Sequence, residues 1–237
     1  MAVIVEATKF TGRFSALNGT KTLSATRADI IRSLLTVGYP SRKVAVKVVG
    51  RWRERMLLAM ATGYLDQNLR TTRYFRSLEQ TEKVGVSFLL GQAFTHWYAE
   101  RYMNIEYLVH FAGVADCKWV TPTKAVAPKA GAAPPPAKSR PDFIGIRRTE
   151  RHVFESKGRQ RKPSGSAEAK ALGQVSALSS VNGKKPTTRC ATFFMLKAAG
   201  AEGRVVDPPE EGRRSASCST NGTRLRKPTR SFLTARR

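Results

Sequence analysis

Acidic residues are scarce in this chain of 237 residues, which holds 17 Asp and Glu against 42 Lys and Arg and has a formal net charge of +25. Residues 198 to 237 contain nine Lys or Arg and four Asp or Glu, so a charge of +20 belongs to residues 1 to 197. A body this basic indicates a polyanionic partner, and nucleic acid is the first candidate. An acid beside a predicted strand therefore needs a chemical explanation.

Cysteine and histidine are also rare, with three residues of each. Cys117, Cys190 and Cys218 lie far apart, which excludes a paired zinc motif or a disulfide framework and indicates a reducing compartment. No apolar run reaches membrane-spanning length, and Glu6 interrupts the short apolar start, so neither a transmembrane helix nor a signal peptide is predicted. We therefore expect a cytoplasmic protein that does not contact a membrane.

Composition divides the chain into three parts. Residues 1 to 78 are predicted to be mainly helical, and residues 79 to 197 to form the core. A Pro/Ala-rich stretch at 120 to 139 lacks periodicity, which predicts a flexible linker that either interrupts the core or joins two domains. From 198 to 237 Gly, Pro, Ser and Arg dominate, which predicts a disordered basic tail that adds salt-sensitive affinity for nucleic acid.

Periodicity predicts two helices near the N-terminus, after a short strand at Val3 to Val5. Thr26 followed by Asp29 is typical of a helix N-cap, and apolar residues at helical spacing continue to Gly38. A longer helix is predicted from Arg42 to about Asn68. Its basic face fits either a solvated surface or a phosphate-contacting one, and the scarcity of acids slightly favours the second.

The predicted core begins with a helix at Thr81 to Met103, whose apolar residues recur at steps of three and four, followed by a strand at Glu106 to Phe111. Farther on, Ser166 is a candidate N-cap for a helix that continues through Ala169 to Val181. The β-branched and aromatic run Thr187 to Leu196 predicts a buried strand that closes the sheet.

The stretch from Arg140 to Arg159 predicts a hairpin. Side chains alternate between the faces of a strand, so Glu155 and Lys157 point the same way, and Asp142 at the start of the neighbouring strand comes near both. Two carboxylates suit a hard cation such as Mg²⁺, and a nearby ammonium can orient a water or offset phosphoryl charge. This chemistry is that of phosphodiester hydrolysis.

Pro141-Asp142 followed by Glu155-Ser156-Lys157 resembles the motif of the PD-(D/E)XK nuclease superfamily, which includes many restriction enzymes, RecB-like nucleases and archaeal junction resolvases. The match is short. A second Glu-x-Lys, Glu168-Ala169-Lys170, lies in an Ala-rich helical run, where positions i and i+2 do not face each other. The predicted order helix, strand, strand, strand, helix, strand is also the superfamily's core order. The resemblance implies an α/β restriction-endonuclease-like fold, with a mixed sheet flanked by helices.

The resemblance also implies a metal-dependent endonuclease that acts on DNA with Mg²⁺, for which Mn²⁺ can substitute. Asp142, Glu155 and the backbone carbonyl of Ser156 would bind the metal, and Lys157 would position the attacking water. Many relatives dimerise to cut two strands, so a homodimer is implied as well, although no residue here identifies an interface.

Two further site residues come from the same resemblance. Many members carry a glutamate on the helix before the first core strand; Glu100 is the first candidate and Glu106 the second, and a plain ion pair of Glu100 with Arg101 or a neighbouring basic helix is equally consistent. Gln174 resembles the glutamine that RecB-like members place after the lysine. Leu178 stands where their tyrosine is expected, so a plain exposed glutamine is the alternative.

Cations around the motif would hold the nucleic acid: Arg147, Arg148, Arg151, Arg159, Arg161 and Lys162. Two other interpretations stay open. The chain fits a noncatalytic nucleic-acid-binding protein, in which the basic body and tail do everything, and a structural protein, in which Asp142, Glu155 and Lys157 form a neutralised cluster inside a sheet. No Ser-His-Asp, Cys-His, Walker or dinucleotide-binding arrangement competes with these hypotheses.

Overall fold

The computed structural model describes residues 1–111, 117–119 and 140–208. The predicted linker at 120–139 and residues 209–237 of the predicted tail lie outside these ranges. The strands are β1 (Ala2–Thr8), β2 (Gly19–Ser24), β3 (Tyr107–His110), β4 (Cys117–Trp119), β5 (Phe143–Arg147), β6 (Glu150–Arg159), β7 (Leu178–Val181), β8 (Thr188–Lys197) and β9 (Gly200–Val206). The α-helices are α1 (Arg27–Thr36), α2 (Arg42–Tyr64), α3 (Arg73–Ser77), α4 (Gln80–Met103) and α5 (Gly165–Ser176), and Gly12–Leu17 forms a 3₁₀ turn.

A seven-stranded mixed sheet organises the molecule, with the strand order β2-β1-β9-β8-β6-β5-β3. The pairs β6–β8 and β1–β9 are parallel, and the other neighbours are antiparallel. Helix α4 packs on one face against β6 and β8, and α5 packs against the same strands. The prediction of an α/β fold with a mixed sheet flanked by helices is confirmed. In the part of the chain that the structure describes, no helix is both long and apolar enough to cross a lipid bilayer.

Helix α4 forms as its sequence predicts. A capping box between Glu79 and Glu82 satisfies its first backbone N–H groups, and Asn104 ends it in the left-handed conformation with a φ of 54°. Its buried stripe packs on the sheet, where the rings of Phe94 and Phe194 stack with centroids 5.3 Å apart. The predicted helix and the observed one differ by a single residue at the start.

The hairpin of β5 and β6 also forms where the sequence predicts it. The two strands pair with Phe143 opposite Phe154, and Arg148 in the turn has a φ of 49°. The carboxylate of Glu106 accepts a hydrogen bond from the Arg148 backbone N–H at 3.2 Å. This contact stabilises the turn from outside, which is a structural task for the second glutamate candidate.

Three predicted boundaries were wrong. Helix α2 ends at Tyr64 and is kinked at Gly50, whose φ of 79° breaks the helical path. Helix α5 is capped by Ser164, which accepts from the Ala167 N–H at 3.3 Å, and not by Ser166. It ends at Ser176, because the following residues leave the helix to pair as β7 with β4.

The sheet is wider than predicted. Strand β8 does not close it, because β9 pairs with β8 at 200–206, inside the stretch expected to be disordered. Ala201, Val205 and Val206 are buried there, and Gly200, with a φ of 137°, makes the turn from β8. Strands β1 and β2 then extend the same sheet, so residues 1–78 contribute strands to the core as well as helices.

Two glycines bring α4 and β6 into direct backbone contact. A Cβ atom on Gly158 would overlap the carbonyl oxygen of Ser87, and one on Gly91 would overlap the backbone of Gly158. No side chain separates the helix from the strand at this point. The contact fixes the distance between the first half of α4 and the end of β6, where Lys157 lies.

We predict that Gly158→Ala lowers the free energy of unfolding by about 1–3 kcal/mol, because the methyl group forces helix and strand apart. Gly173→Ala is the matched control: Gly173 lies in α5 with nothing within 4 Å of an added Cβ, and alanine there should stabilise the protein by about 0.5–1 kcal/mol. Urea denaturation of both variants measures the effect. Equal stabilities for the two variants would contradict the close contact.

Candidate functional site

The site begins where the ladder between β5 and β6 ends. Pro141 precedes the first strand pair and has no N–H to donate across to β6. The Asp142 carboxylate instead accepts the N–H of Ser156, with 2.9 Å between N and Oδ2. In an antiparallel ladder the N–H and C=O of one residue face the same side, so the Ser156 carbonyl is directed toward the same strand end.

Glu155 is buried beside Asp142 and is only 1% exposed. It lies on the face of β6 that carries Val153, which packs against Val175 of α5. The ammonium of Lys157 forms an ion pair with Glu155 Oε1, and beyond Lys157 and the backbone of Asp142 no group within the described residues donates a hydrogen bond to this carboxylate. A buried charge with so few hydrogen bonds is an expensive arrangement, which calls for a further partner.

Both carboxyl groups are shifted toward the protonated form. Burial, with the neighbouring charge of Asp142 second, raises the pKa of Glu155 to about 7, and Lys157 opposes this shift. Burial also raises the pKa of Asp142, against the lowering effects of the Ser156 N–H, Lys157 and His110. Near neutral pH the pair therefore favours any ligand that brings positive charge.

A buried hydroxyl cluster anchors β6 from its opposite face. Thr95 of α4 lies 2.9 Å from Ser156 Oγ and 2.7 Å from Thr192 Oγ1, and the Thr192 hydroxyl donates to the Glu155 carbonyl at 3.0 Å. All of these side chains are buried. Sequence analysis missed them, and the available signal was a threonine inside the apolar stripe of a predicted helix.

Gln174 of α5 contacts the backbone two residues before Asp142. It is 9% exposed, its Nε2 approaches the Arg140 carbonyl oxygen at 3.5 Å, and its buried Oε1 has no hydrogen-bond partner among the described residues. The alternative of a plain exposed glutamine is wrong. Through Arg140, α5 contacts the segment that leads into Asp142.

Glu100 lies elsewhere. It forms a two-pronged ion pair with Arg32 of α1, at 3.1 and 2.9 Å, and its Oε2 lies 3.9 Å from Nδ1 of His96. The alternative of a pair with a neighbouring basic helix is therefore the observed one. The reason is helix phase: five residues after Thr95, Glu100 is rotated by about 140° from the side of α4 that contacts β6.

The six candidate cations form two separate groups. The first group, Arg147, Arg148 and Arg151, lies around the hairpin turn. Arg147 binds Glu150 at 3.3 Å. Arg151 is about 13 Å along the strand from Glu155, too far to share its site. The second group consists of Arg159, Arg161 and Lys162. It lines a cleft of about 680 Å³ at the other end of β6, and Lys157 and the start of α4 line the same cleft. This cleft meets the site through Lys157 and does not include the two carboxylates.

Within residues 1–111, 117–119 and 140–208, no group of three or more His, Cys, Asp or Glu side chains is arranged to hold a metal ion. The site offers two carboxylates and one backbone carbonyl. Such an all-oxygen set is incomplete for most metals, but it suits Mg²⁺, which keeps several of its waters when bound to proteins.

No family model matches the chain, and neither a curated protein nor a solved structure matches it. The candidate site consists of Asp142, Glu155, Ser156 and Lys157, and Gln174 contacts the segment that leads into Asp142.

Glu155→Gln tests the buried charge. The folded protein holds the Glu155 proton up to a pKa of about 7, whereas the unfolded chain loses it near 4.5, so the wild-type protein loses stability as the pH rises between these values. The neutral amide avoids this loss. We expect Glu155→Gln to differ little from wild type near pH 4.5 and to gain up to about 3 kcal/mol in free energy of unfolding above pH 7. Urea denaturation in EDTA across this range measures it.

Glu202→Gln is the control for this experiment, because Glu202 is an accessible carboxylate paired with Lys197 at 2.6 Å. It should show no comparable gain with pH. A difference between wild type and Glu155→Gln that does not grow with pH would contradict the account of a buried, charge-strained carboxylate.

Proposed function

We propose that this protein is a metal-dependent nuclease of the PD-(D/E)XK type that hydrolyses phosphodiester bonds in DNA. One observation carries the proposal: the Glu155 carboxylate is buried beside the second carboxylate of Asp142, with no hydrogen-bond donor among the described residues beyond Lys157 and the Asp142 backbone. A buried carboxylate of this kind does not raise the stability of a protein core. A site for a cation and an anionic substrate explains it.

Asp142, Glu155 and the Ser156 carbonyl would hold Mg²⁺, with Mn²⁺ as a substitute. The fit rests on the donor chemistry, which is all oxygen, and on the unsatisfied oxygens of Glu155. A bound divalent ion would polarise a phosphoryl oxygen and lower the pKa of a bound water. The Ser156 N–H keeps Asp142 oriented toward the same point.

In this proposal the partner of Lys157 changes when the metal binds. Without a metal its ammonium neutralises Glu155; with the carboxylate engaged elsewhere, the ammonium is free to position the attacking water and to offset phosphoryl charge. The water oxygen forms the new bond to phosphorus as one ester P–O bond breaks. The proton lost by the water balances the one gained by the leaving oxygen.

Strands β4 and β7 pair with each other in a separate two-stranded sheet. Without them, the order α4, β3, β5, β6, α5, β8 supports the proposal, because it repeats the helix and strand order that the motif resemblance implies. Glu155 lies in β6 and Asp142 lies directly before β5, its antiparallel partner, and Gln174 contacts the Arg140 carbonyl in the segment that leads into Asp142. Glu100 has no part in the proposed site, which rests on two carboxylates. The basic body, with a formal net charge of +25 for the whole chain, supports nucleic acid as the substrate.

Lys157→Ala should reduce Mg²⁺- or Mn²⁺-dependent cleavage of DNA by at least about 100-fold, since the charge-stabilising group is lost. Lys170→Ala is the matched control, because Lys170 belongs to the second Glu-x-Lys on helix α5 and should leave cleavage unchanged. Gel assays on single-stranded, duplex and branched DNA, with EDTA as the blank, measure the rates. Binding without any cutting would favour a noncatalytic nucleic-acid-binding protein.

Metal binding has its own test, separate from activity. We expect wild type and Lys157→Ala to bind Mn²⁺, with the variant at least as tight because a competing cation has been removed, and Asp142→Asn to bind at least 10-fold more weakly. The electron paramagnetic resonance signal of free Mn²⁺ reports each affinity. Equal Mn²⁺ binding by wild type and Asp142→Asn would contradict the assignment of Asp142 as a ligand.

A further inference from the structure

The cleft beside Lys157 has one helical wall and one basic wall. Helix α4 contributes Gln80, Val84 and Phe88, and the end of β6 with the loop after it contributes residues 157–162. Val84 is 57% exposed and Phe88 is 44% exposed. Large apolar side chains displayed inside a cation-lined cleft have no packing role that accounts for them, whereas an aromatic ring near phosphate-binding cations is typical of nucleic-acid sites.

The cleft is held rigidly. Ser87 and Gly91 meet Gly158 backbone to backbone, one residue before and three residues after Phe88. The backbone of α4 around Phe88 and the end of β6 therefore keep a fixed separation. A ligand that uses both walls meets a preformed site and loses little free energy in ordering it.

The basic wall is available for an anionic ligand. Within the described residues Arg159, Arg161 and Lys162 form no ion pair, and the buried Nε of Arg159 has no hydrogen-bond partner. Arg161 and Lys162 are exposed, so their charged groups can contact an anion that enters the cleft. Phosphate oxygens match this donor group well.

The basic surface continues past the cleft. A neighbouring cleft of about 320 Å³ shares Gln160 and Arg161 and is lined also by Arg76, Lys83 and Lys197. The two clefts adjoin at Gln160 and Arg161 and together carry more cations than a single phosphate group can contact. A chain of phosphates fits this path better than an isolated small anion does.

We propose that this cleft binds a single-stranded segment of nucleic acid, with a base stacked on Phe88 and phosphates on Arg159, Arg161 and Lys162. The strand must be unpaired because a base inside a duplex is already stacked on its neighbours and cannot present its face to Phe88. Lys157 borders the cleft and pairs with Glu155, so the strand leads to the proposed site. The inference rests on the proposed nuclease function for its biological purpose, but binding can be measured without cleavage.

The test is fluorescence anisotropy of a labelled oligo-dT of about 12 nucleotides and of a duplex of the same length, both in EDTA. Phe88→Ala should weaken binding of the single strand by about 5- to 150-fold, the range expected for one lost base stack, and should leave duplex binding unchanged. Phe88→Trp should retain the affinity. Arg161→Ala should weaken the dependence on salt concentration by about one unit of log–log slope.

Tyr107→Ala is the matched control, since Tyr107 is 43% exposed, almost the same as Phe88, but lies on the edge strand β3 away from the cleft. Circular dichroism melts of each variant show whether the fold is retained. Unchanged oligo-dT affinity for Phe88→Ala, or an equal loss for Tyr107→Ala, would overturn the proposal. If Phe88→Ala weakens single-strand binding but the wild-type protein cuts no DNA with a metal, the binding site is supported and the nuclease function is refuted. If the protein cuts DNA with a metal but Phe88→Ala binds the single strand as wild type does, the nuclease function is supported and the binding site is refuted.

Discussion

The hydrogen bond from the Ser156 backbone N–H to the Asp142 carboxylate lies where the β5–β6 ladder runs out, and the rest of the site depends on it. Pro141 has no N–H for β6, so a side chain takes over the pairing that the backbone has stopped providing. That substitution puts one carboxylate next to another, Glu155, in a buried position. Burial raises the proton affinity of both carboxylates, the charge of Asp142 raises that of Glu155 further, and Lys157 only partly offsets these effects.

Side chains alternate between the two faces of β6, so one face packs the strand in place and the other carries the charged groups of the site. Phe154, Ser156 and Gly158 face α4, where packing, a hydroxyl cluster and a glycine contact set the position of the strand. Glu155 and Lys157 face the other side, which α5 covers next to Val153. The rigid face thus holds the charged face in place, and neither set of side chains has to serve both purposes.

Strong periodic patterns predicted their elements well: α4 and the β5–β6 hairpin lie where the sequence indicates, and alternation correctly put Glu155 and Lys157 on one face. Features decided by tertiary pairing were missed. The strand at 200–206 is short and contains glycine, so the sequence predicted it as part of the disordered tail. It forms because β8 and β1 pair with it on either side. Glu100 was assigned to the site from the resemblance, and it pairs with Arg32 of α1 instead. A three- or four-residue pattern identifies a buried stripe but not which neighbour each edge residue meets.

The hairpin has a consequence for how the protein folds. Asp142 and Glu155 belong to one local turn of chain, so closing the loop between them is entropically cheap and can occur early. Glu155, however, loses its water only when β8 pairs with β6 and α5 packs over it, and both follow later in the chain. The electrostatic penalty is therefore concentrated in a late docking step. A proton or a divalent ion that neutralises the pair acts mainly on that step, and would speed consolidation of the native state more than formation of the hairpin.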